Sequence, residues 1–84
     1  MTYRPLLEPQ VLRRMGGIPD DALDELVRAV ARICDDPFDR TTSAPLRDDD
    51  PAERMAEVGE HGFIEFRVDK REGLIRIHVF AWAG

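Results

Sequence analysis

Apolar residues recur along this chain in two different periods, one typical of helices and one typical of strands. Between residues 20 and 34 they return at every third or fourth position, which is the spacing of an amphipathic helix. Pro19, Asp20 and Asp21 mark its start, because acidic side chains favour the positive end of a helix, and the helix must end before Pro37. This segment is the most strongly patterned element of the sequence.

A short strand and a short helix are predicted ahead of it. The apolar run Tyr3–Leu7 contains Pro5, which cannot donate a backbone hydrogen bond, so the strand belongs at an edge or a bulge. Pro9 is favoured at the first position of a helix, and the pair Gly16-Gly17 is a typical helix end. The two helices therefore form a hairpin whose apolar faces need a sheet to cover them.

The C-terminal third alternates between apolar and polar residues, as strands do. We predict strands at Arg54–Val58, Phe63–Val68 and Leu74–Ala83, the last two joined by the hairpin loop 70–73. Residues 36–51 are rich in Asp, Pro, Thr and Ser without a period, so we predict an exposed connection there. The fold class is α+β, with an N-terminal strand and a helical hairpin packed on a mainly antiparallel twisted sheet.

The hairpin loop also predicts a register for the last two strands. If Asp69 lies opposite Leu74, the branched and aromatic residues all fall on the face that packs against the helices. The predicted inner pairs are Val68 with Ile75, Phe66 with Ile77 and Ile64 with Val79. The predicted outer pairs are Arg67 with Arg76, Glu65 with His78 and Phe63 with Phe80, with Trp82 further along the same face.

Length and composition place the whole chain, residues 1–84, in one domain. Hydrophobic residues make up 43% and charged residues 35%, which is ordinary for a globular protein. The apolar runs are too short to span a membrane and Met1–Leu7 does not resemble a signal peptide, so we expect a cytoplasmic protein. The acidic triplet 48–50 lacks the spacing of a calcium loop, and no cofactor motif occurs, so we predict neither metal nor cofactor.

The outer face of the predicted sheet carries the candidate chemistry. Arg67 and Arg76 directly opposite each other repel, so either acids such as Glu65 compensate them or an anion bridges them. The first interpretation is a surface ion cluster. The second is an RNA or phosphate site in which the arginines bind charge and His78 transfers a proton, oriented by Glu65. Trp82 beside Phe63 and Phe80 could stack a base, or the three could cover a partner or a second copy of the chain.

The order of elements resembles the RelE/ParE family of toxins from type II toxin–antitoxin systems. The likeness covers nearly the whole chain and rests on a long second helix ending at Asp36-Pro37, then an irregular loop, the segment Arg54–Gly59 and the segment Phe66–Asp69. Proteins of this family act as ribosome-dependent mRNA endoribonucleases or as gyrase inhibitors. Each is neutralised by an antitoxin whose extended segment wraps the toxin.

The resemblance implies a toxin that pairs with an antitoxin and acts on the ribosome or mRNA, with Arg54 at the place of the family's first-strand arginine. Its catalytic residues would be His78, Glu65 and Arg76, and its RNA-binding residues Arg54, Arg67, Arg76 and Trp82. The sequence departs from the family pattern in its net charge of −5 and its C-terminus without basic residues. These departures predict a weak or lost ribonuclease activity. The alternative is a non-enzymatic module that binds a partner, or itself, through Phe63, Phe80 and Trp82.

Overall fold

A computed structural model describes residues 2–83 of the chain and confirms the predicted α+β class. Two helices pack on one face of a five-stranded sheet. The helices are α1 (Pro9–Met15) and α2 (Asp20–Asp35), and the strands are β1 (Arg4–Leu7), β2 (Ala44–Arg47), β3 (Asp50–Val58), β4 (Gly62–Asp69) and β5 (Leu74–Trp82).

The strands lie in the order β1-β5-β4-β3-β2. β1 runs parallel to β5 at one edge, and every other neighbouring pair is antiparallel. Pro5 lies in β1, at the edge of the sheet where a missing backbone donor costs least, as predicted. The loop between β4 and β5 places Gly73 at φ 68°, a left-handed conformation that glycine adopts without strain.

The core lies between α2 and the inner face of the sheet. From α2 it receives Leu26, Ala29, Ile33 and Cys34, which recur at helical spacing. From β3 and β4 it receives every second residue, including the fully buried Ile64 and Phe66, and β5 contributes three more. Burial raises the pKa of the Cys34 thiol, so this cysteine is a buried small hydrophobe and stays protonated at neutral pH.

The predicted register between β4 and β5 is correct for the half of the hairpin next to its loop and wrong for the other half. Arg67 lies opposite Arg76 and Phe66 opposite Ile77, but a β-bulge then shifts the pairing by one residue. Glu65 therefore lies opposite Val79, and Ile64 lies opposite Phe80. His78 is the extra residue of β5, so the predicted pairs of Glu65 with His78, Ile64 with Val79 and Phe63 with Phe80 do not form.

The bulge reverses the faces of the last residues of β5. Phe80 becomes part of the core, with 2% of its surface exposed, and Trp82, two residues further along, packs against the core as well. Phe63 remains on the outer face opposite Ala81. The predicted outer stripe of Phe63, Phe80 and Trp82 is therefore wrong, because a regular ladder would have left the large ring of Phe80 in water and Val79 in the core.

The segment 36–51 is not only an exposed connection. It contains β2, and β3 begins at Asp50, four residues before the predicted start at Arg54. All four residues of β2 are exposed and Pro45 interrupts it, so its sequence carries no alternating pattern. β2 exists because it pairs with β3. The turn before β2 is closed by the Asp39 carboxylate, which accepts hydrogen bonds from the backbone and side chain of Thr41 that lower the pKa of Asp39.

Within residues 2–83, no helix is both long enough and apolar enough to cross a membrane.

Candidate functional site

Three neighbouring strands bring a row of charged side chains together on the outer face of the sheet. Residues that alternate along a strand share a face, so Glu53 of β3 lies opposite Arg67 of β4, and Arg67 lies opposite Arg76 of β5. The bulge adds His78 to the same side, where its ring reaches Glu53. We call these four residues, with Asp50 and Asp69, the outer-face cluster.

Arg67 is the centre of the outer-face cluster. Its Nη1 donates to Asp50 Oδ2 at 2.9 Å and to Glu53 Oε2 at 3.0 Å. The hydrogen bond from Arg67 lowers the pKa of Asp50, and the bonds to Asp50 and Glu53 raise the pKa of Arg67. Asp50 also accepts from Arg47 at 3.4 Å, so this carboxylate links β2 to β4.

His78 shares one of these carboxylates. Its Nε2 lies 2.8 Å from Oε1 of Glu53, while the other oxygen of Glu53 holds Arg67. Glu53 therefore orients the imidazole and the guanidinium at once, and only 19% of its side chain is exposed. The role of orienting His78, assigned to Glu65 from the sequence, falls to Glu53 in the structure.

Arg76 has its own acid. Its Nε lies 3.6 Å from Asp69 Oδ2, on the side of the strand pair away from Glu53. The repulsion between Arg67 and Arg76 is thus relieved from both sides, and the predicted ion cluster is present with different acids. Glu65 lies on the same face opposite Met55 and Val79, and it has no ion-pair partner within residues 2–83.

Two of the residues predicted from the sequence do not lie on this face. Arg54 points into the protein with 4% of its surface exposed, and burial lowers its pKa. Its Nε donates to Ser43 Oγ at 2.8 Å, and its other two nitrogens donate to the backbone carbonyls of Ser43 and Pro51 at 3.2 and 3.1 Å. Arg54 therefore ties the turn before β2 to β3 and cannot reach an RNA on the outer face.

Trp82 also faces inward. It lies opposite Gly62, and a Cβ added at Gly62 would come within 2.6 Å of Trp82 Cε3, so the glycine makes room for the indole. The His61 imidazole and the indole form a T-shaped pair with a centroid distance of 6.1 Å. The indole Nε1 is buried and has no hydrogen-bond partner. Trp82 is thus a packing residue in this arrangement, and no flat face of it is offered to a base beside Arg67.

Two acids of the cluster, Asp50 and Glu53, were missed because β3 begins earlier than the sequence predicted. Glu53 lies one residue before the strand predicted at Arg54, and Asp50 lay in a segment predicted to be a loop. The available signal was the alternation of Glu53, Met55 and Glu57, which extends the β3 pattern backwards by one residue.

Among residues 2–83, no group of three or more His, Cys, Asp or Glu side chains could hold a metal ion.

In the outer-face cluster, both arginines and the histidine lie beside a carboxylate. Three acids, Asp50, Glu53 and Asp69, face two arginines and one histidine at distances of 2.8–3.6 Å. An anion that approaches the arginines competes with carboxylates already paired with them. The cluster has the groups needed for phosphate binding and proton transfer, but its own carboxylates are already paired with both arginines.

The sequence matches no protein-family model and no curated protein. Among solved structures, toxin RelE of E. coli, in complex with a peptide of the antitoxin RelB, superposes with a TM-score of 0.81 over 100% of this chain and 86% of that one. The fold is that of the RelE toxins. The sequence identity to this RelE is 12%.

Two other RelE structures support this assignment of the fold. The archaeal RelE–RelB complex of Pyrococcus horikoshii gives a TM-score of 0.77 at 18% identity and covers 100% of this chain and 98% of that chain. The toxin–antitoxin complex RelBE2 of Mycobacterium tuberculosis gives a TM-score of 0.65 at 16% identity and covers 99% and 100%. The RelE fold thus accounts for the whole described chain, as its order of elements indicated.

Proposed function

We propose that this chain is the toxin of a type II toxin–antitoxin pair and is held inactive by direct binding of its antitoxin. The observation that carries the proposal is the superposition over nearly the full chain with RelE structures, each of which is a complex of the toxin with its antitoxin. Such a protein would work in the cytoplasm, where ribosomes and mRNA are found.

The chemistry we propose is a weak ribosome-dependent cleavage of mRNA at the outer-face cluster. Arg67 and Arg76 would bind the phosphate. Glu65, which has no ion-pair partner on the described chain, would accept the proton of the attacking hydroxyl on the same face. His78, oriented by Glu53, would donate a proton to the oxygen that leaves when the phosphodiester bond breaks. Asp50, Glu53 and Asp69 compete with the phosphate for both arginines, which is the physical reason to expect low activity.

The first test is growth of a bacterial host after inducible expression of this chain alone. We expect arrest, and we expect relief by the double variant Arg67→Ala/Arg76→Ala. The double variant Arg13→Ala/Arg14→Ala is the matched control, because it removes the same charge from the exposed last turn of α1. Normal growth with soluble, folded parent protein would refute the proposal. Equal relief by both double variants would show that the arrest does not depend on the outer-face cluster.

A second test concerns the competing carboxylates. Asp50→Asn removes one acid from Arg67 and leaves Glu53 in place to hold His78. We expect this variant to bind a single-stranded RNA oligonucleotide more tightly than the parent, with a steeper loss of affinity as salt is added, because one more cation is free to contact phosphate. The measurement is a fluorescence-anisotropy titration at several salt concentrations. Unchanged affinity and unchanged salt dependence would contradict the competition.

A further inference from the structure

Three arginines lie around the turn before β2 without an ion-pair partner. Arg32 lies in the last turn of α2 and Arg40 in the turn before β2, and both are exposed. Arg54 is buried and donates to Ser43 of the same turn. Within residues 2–83, no carboxylate lies at ion-pair distance from any of the three. In a chain of net charge −5, this end of β2 is a local concentration of positive charge.

Two acids close to this turn do not pair with the arginines. The Asp39 carboxylate accepts hydrogen bonds from the backbone and side chain of Thr41. Asp36 acts on the charge of Arg54 without a bond to it. The exposed guanidinium groups beside the turn therefore keep their N–H donors for a ligand.

Arg32 and Arg40 line one open groove of about 520 Å³ between α2 and β3. This volume lies in the range of about 300–1,000 Å³ that is usual for small-molecule pockets. The lining of the groove includes the apolar side chains of Ala44, Met55 and Ala56. The groove thus has room for a ligand much larger than a simple anion, with an apolar surface for its body.

The groove is basic towards one end and acidic towards the other. Arg32 and Glu25 lie seven residues apart on α2, which is about 10 Å along the helix axis. Gly59 marks the acidic end, because a Cβ added there would lie 3.2 Å from the Glu25 side chain, and Glu57 lines the groove as well. Glu25 is paired with Arg28 at 3.0 Å, whereas Glu57 has no ion pair within the described residues. Glu57 is therefore available to accept a hydrogen bond from a ligand.

A strand edge without a neighbour runs along the groove. β2 pairs with β3 only as far as Ala44 opposite Met55, and the residues Ala56–Val58 pair with β4 on their other side. No hydrogen bond from the rest of residues 2–83 covers the groove side of these three. Along an antiparallel strand, successive residues direct their N–H and C=O to opposite sides, so at least one of the three offers both groups to the groove. A donor beside an acceptor complements the hydrogen-bonding edge of a nucleic-acid base.

We propose that this groove binds a nucleotide, whose phosphate lies on Arg32 and Arg40 and whose base pairs with the free backbone of Ala56–Val58. Arginine favours phosphate because its fork of donors matches the phosphate oxygens. An amino group of the base can donate to Glu57, which would repel a second anion. The site lies beside α2 and shares no residue with the outer-face cluster.

The test is a titration of the full chain, labelled with ¹⁵N, with adenosine monophosphate (AMP), adenosine and inorganic phosphate in separate experiments. We expect AMP to shift the backbone amide signals at both ends of the groove, near Arg40 and near Glu57. Adenosine lacks the charge and phosphate lacks the base, so each should bind about tenfold more weakly than AMP or worse.

A pair of double variants separates the groove from the general attraction of an anion to arginine. Arg32→Gln/Arg40→Gln should weaken AMP binding by about tenfold or more, because both charge-assisted contacts are lost. Arg13→Gln/Arg14→Gln removes the same charge from α1 and should leave the affinity nearly unchanged. All four arginines are exposed, so both variants should fold as the parent does.

A short RNA oligonucleotide distinguishes the two sources of such a ligand. Displacement of AMP by the oligonucleotide, followed at the same amides, identifies the end of an RNA strand as the ligand. AMP binding without displacement identifies the free nucleotide.

Equal affinities for AMP and phosphate, equal losses in the two double variants, amide shifts confined to the outer-face cluster, or no binding at millimolar AMP would each overturn the inference. The titration reads binding without a cell, so its result stands apart from that of the growth assay.

Discussion

The bulge in β5 leads us to predict that truncating Phe80 costs more free energy of unfolding than truncating Phe63. In a regular ladder both rings would lie on the outer face, whereas the bulge places Phe80 opposite Ile64 in the core and leaves Phe63 partly exposed outside. Burying a large apolar side chain contributes about 1.5–3 kcal/mol, and the cavity left by truncation raises the cost of a buried Phe→Ala change to about 3–5 kcal/mol. We expect Phe63→Ala to cost about 1 kcal/mol, because its ring is only partly removed from water.

These costs are large for a chain of this size. At roughly 0.05–0.15 kcal/mol for each residue, 84 residues have about 4–13 kcal/mol of free energy of unfolding. With a urea dependence of about 1.5 kcal/mol/M, Phe80→Ala should lower the unfolding midpoint by roughly 2–3 M and Phe63→Ala by less than about 1 M. The variants Phe80→Leu and Phe63→Leu give the same comparison with smaller losses if Phe80→Ala does not fold.

Urea unfolding followed by far-UV circular dichroism measures both midpoints. Fluorescence of Trp82, the one tryptophan of the chain, reports on the neighbouring packing at the same time. Equal midpoints for Phe80→Ala and Phe63→Ala would refute the bulged register, because a ladder without the bulge leaves both rings in similar surroundings.

Three further predictions test other contacts. Arg54→Met should lower the free energy of unfolding by about 2–4 kcal/mol in urea titrations, because the Ser43 and Pro51 carbonyls lose their buried donor. Arg67 lowers the pKa of Asp50, so this pair stabilises the fold above the ordinary value of 3.8 and stops doing so as pH falls through the lower folded pKa. Thermal unfolding should therefore distinguish Asp50→Asn from the parent at pH 6, and the difference should shrink as the pH is lowered below 3.8. Gly62→Ala should cost about 1–3 kcal/mol and change the emission of Trp82, since the new Cβ would lie 2.6 Å from its ring; unchanged emission and midpoint would contradict this close packing.

The elements with a strong local pattern were predictable from the sequence. The period of α2, its acidic start and the proline beyond its end each act over a few residues, and the structure has the helix at Asp20–Asp35. The β4–β5 loop likewise determines the register near itself, so the pairing of Arg67 with Arg76 was correct. The order of these elements was enough to indicate the RelE fold, although the identity to the RelE structures is only 12–18%.

The composition of the candidate site depended on contacts between distant parts of the chain. Glu53 reaches Arg67 and His78 only because β3 starts at Asp50 and pairs with β4, and β2 forms only because β3 offers it an edge. No local signal marks β2, and the alternation of Glu53, Met55 and Glu57 extends the pattern of β3 backwards by only one residue. The direction of Arg54 into the core also follows from its pairing opposite Phe66, on the buried side of β4.

The sequence by itself determined the helices, the α+β class, the antiparallel hairpin and the arginines that face each other across it, since all of these depend on residues close together in the chain. Only the tertiary structure decided which acids compensate those arginines and on which face Phe80 and Trp82 lie. The physical reason is that a one-residue bulge at His78 is favoured by burial of Phe80 against side chains supplied by other elements. The energy of such packing is shared among residues far apart in sequence, so it becomes apparent only when the chain is folded.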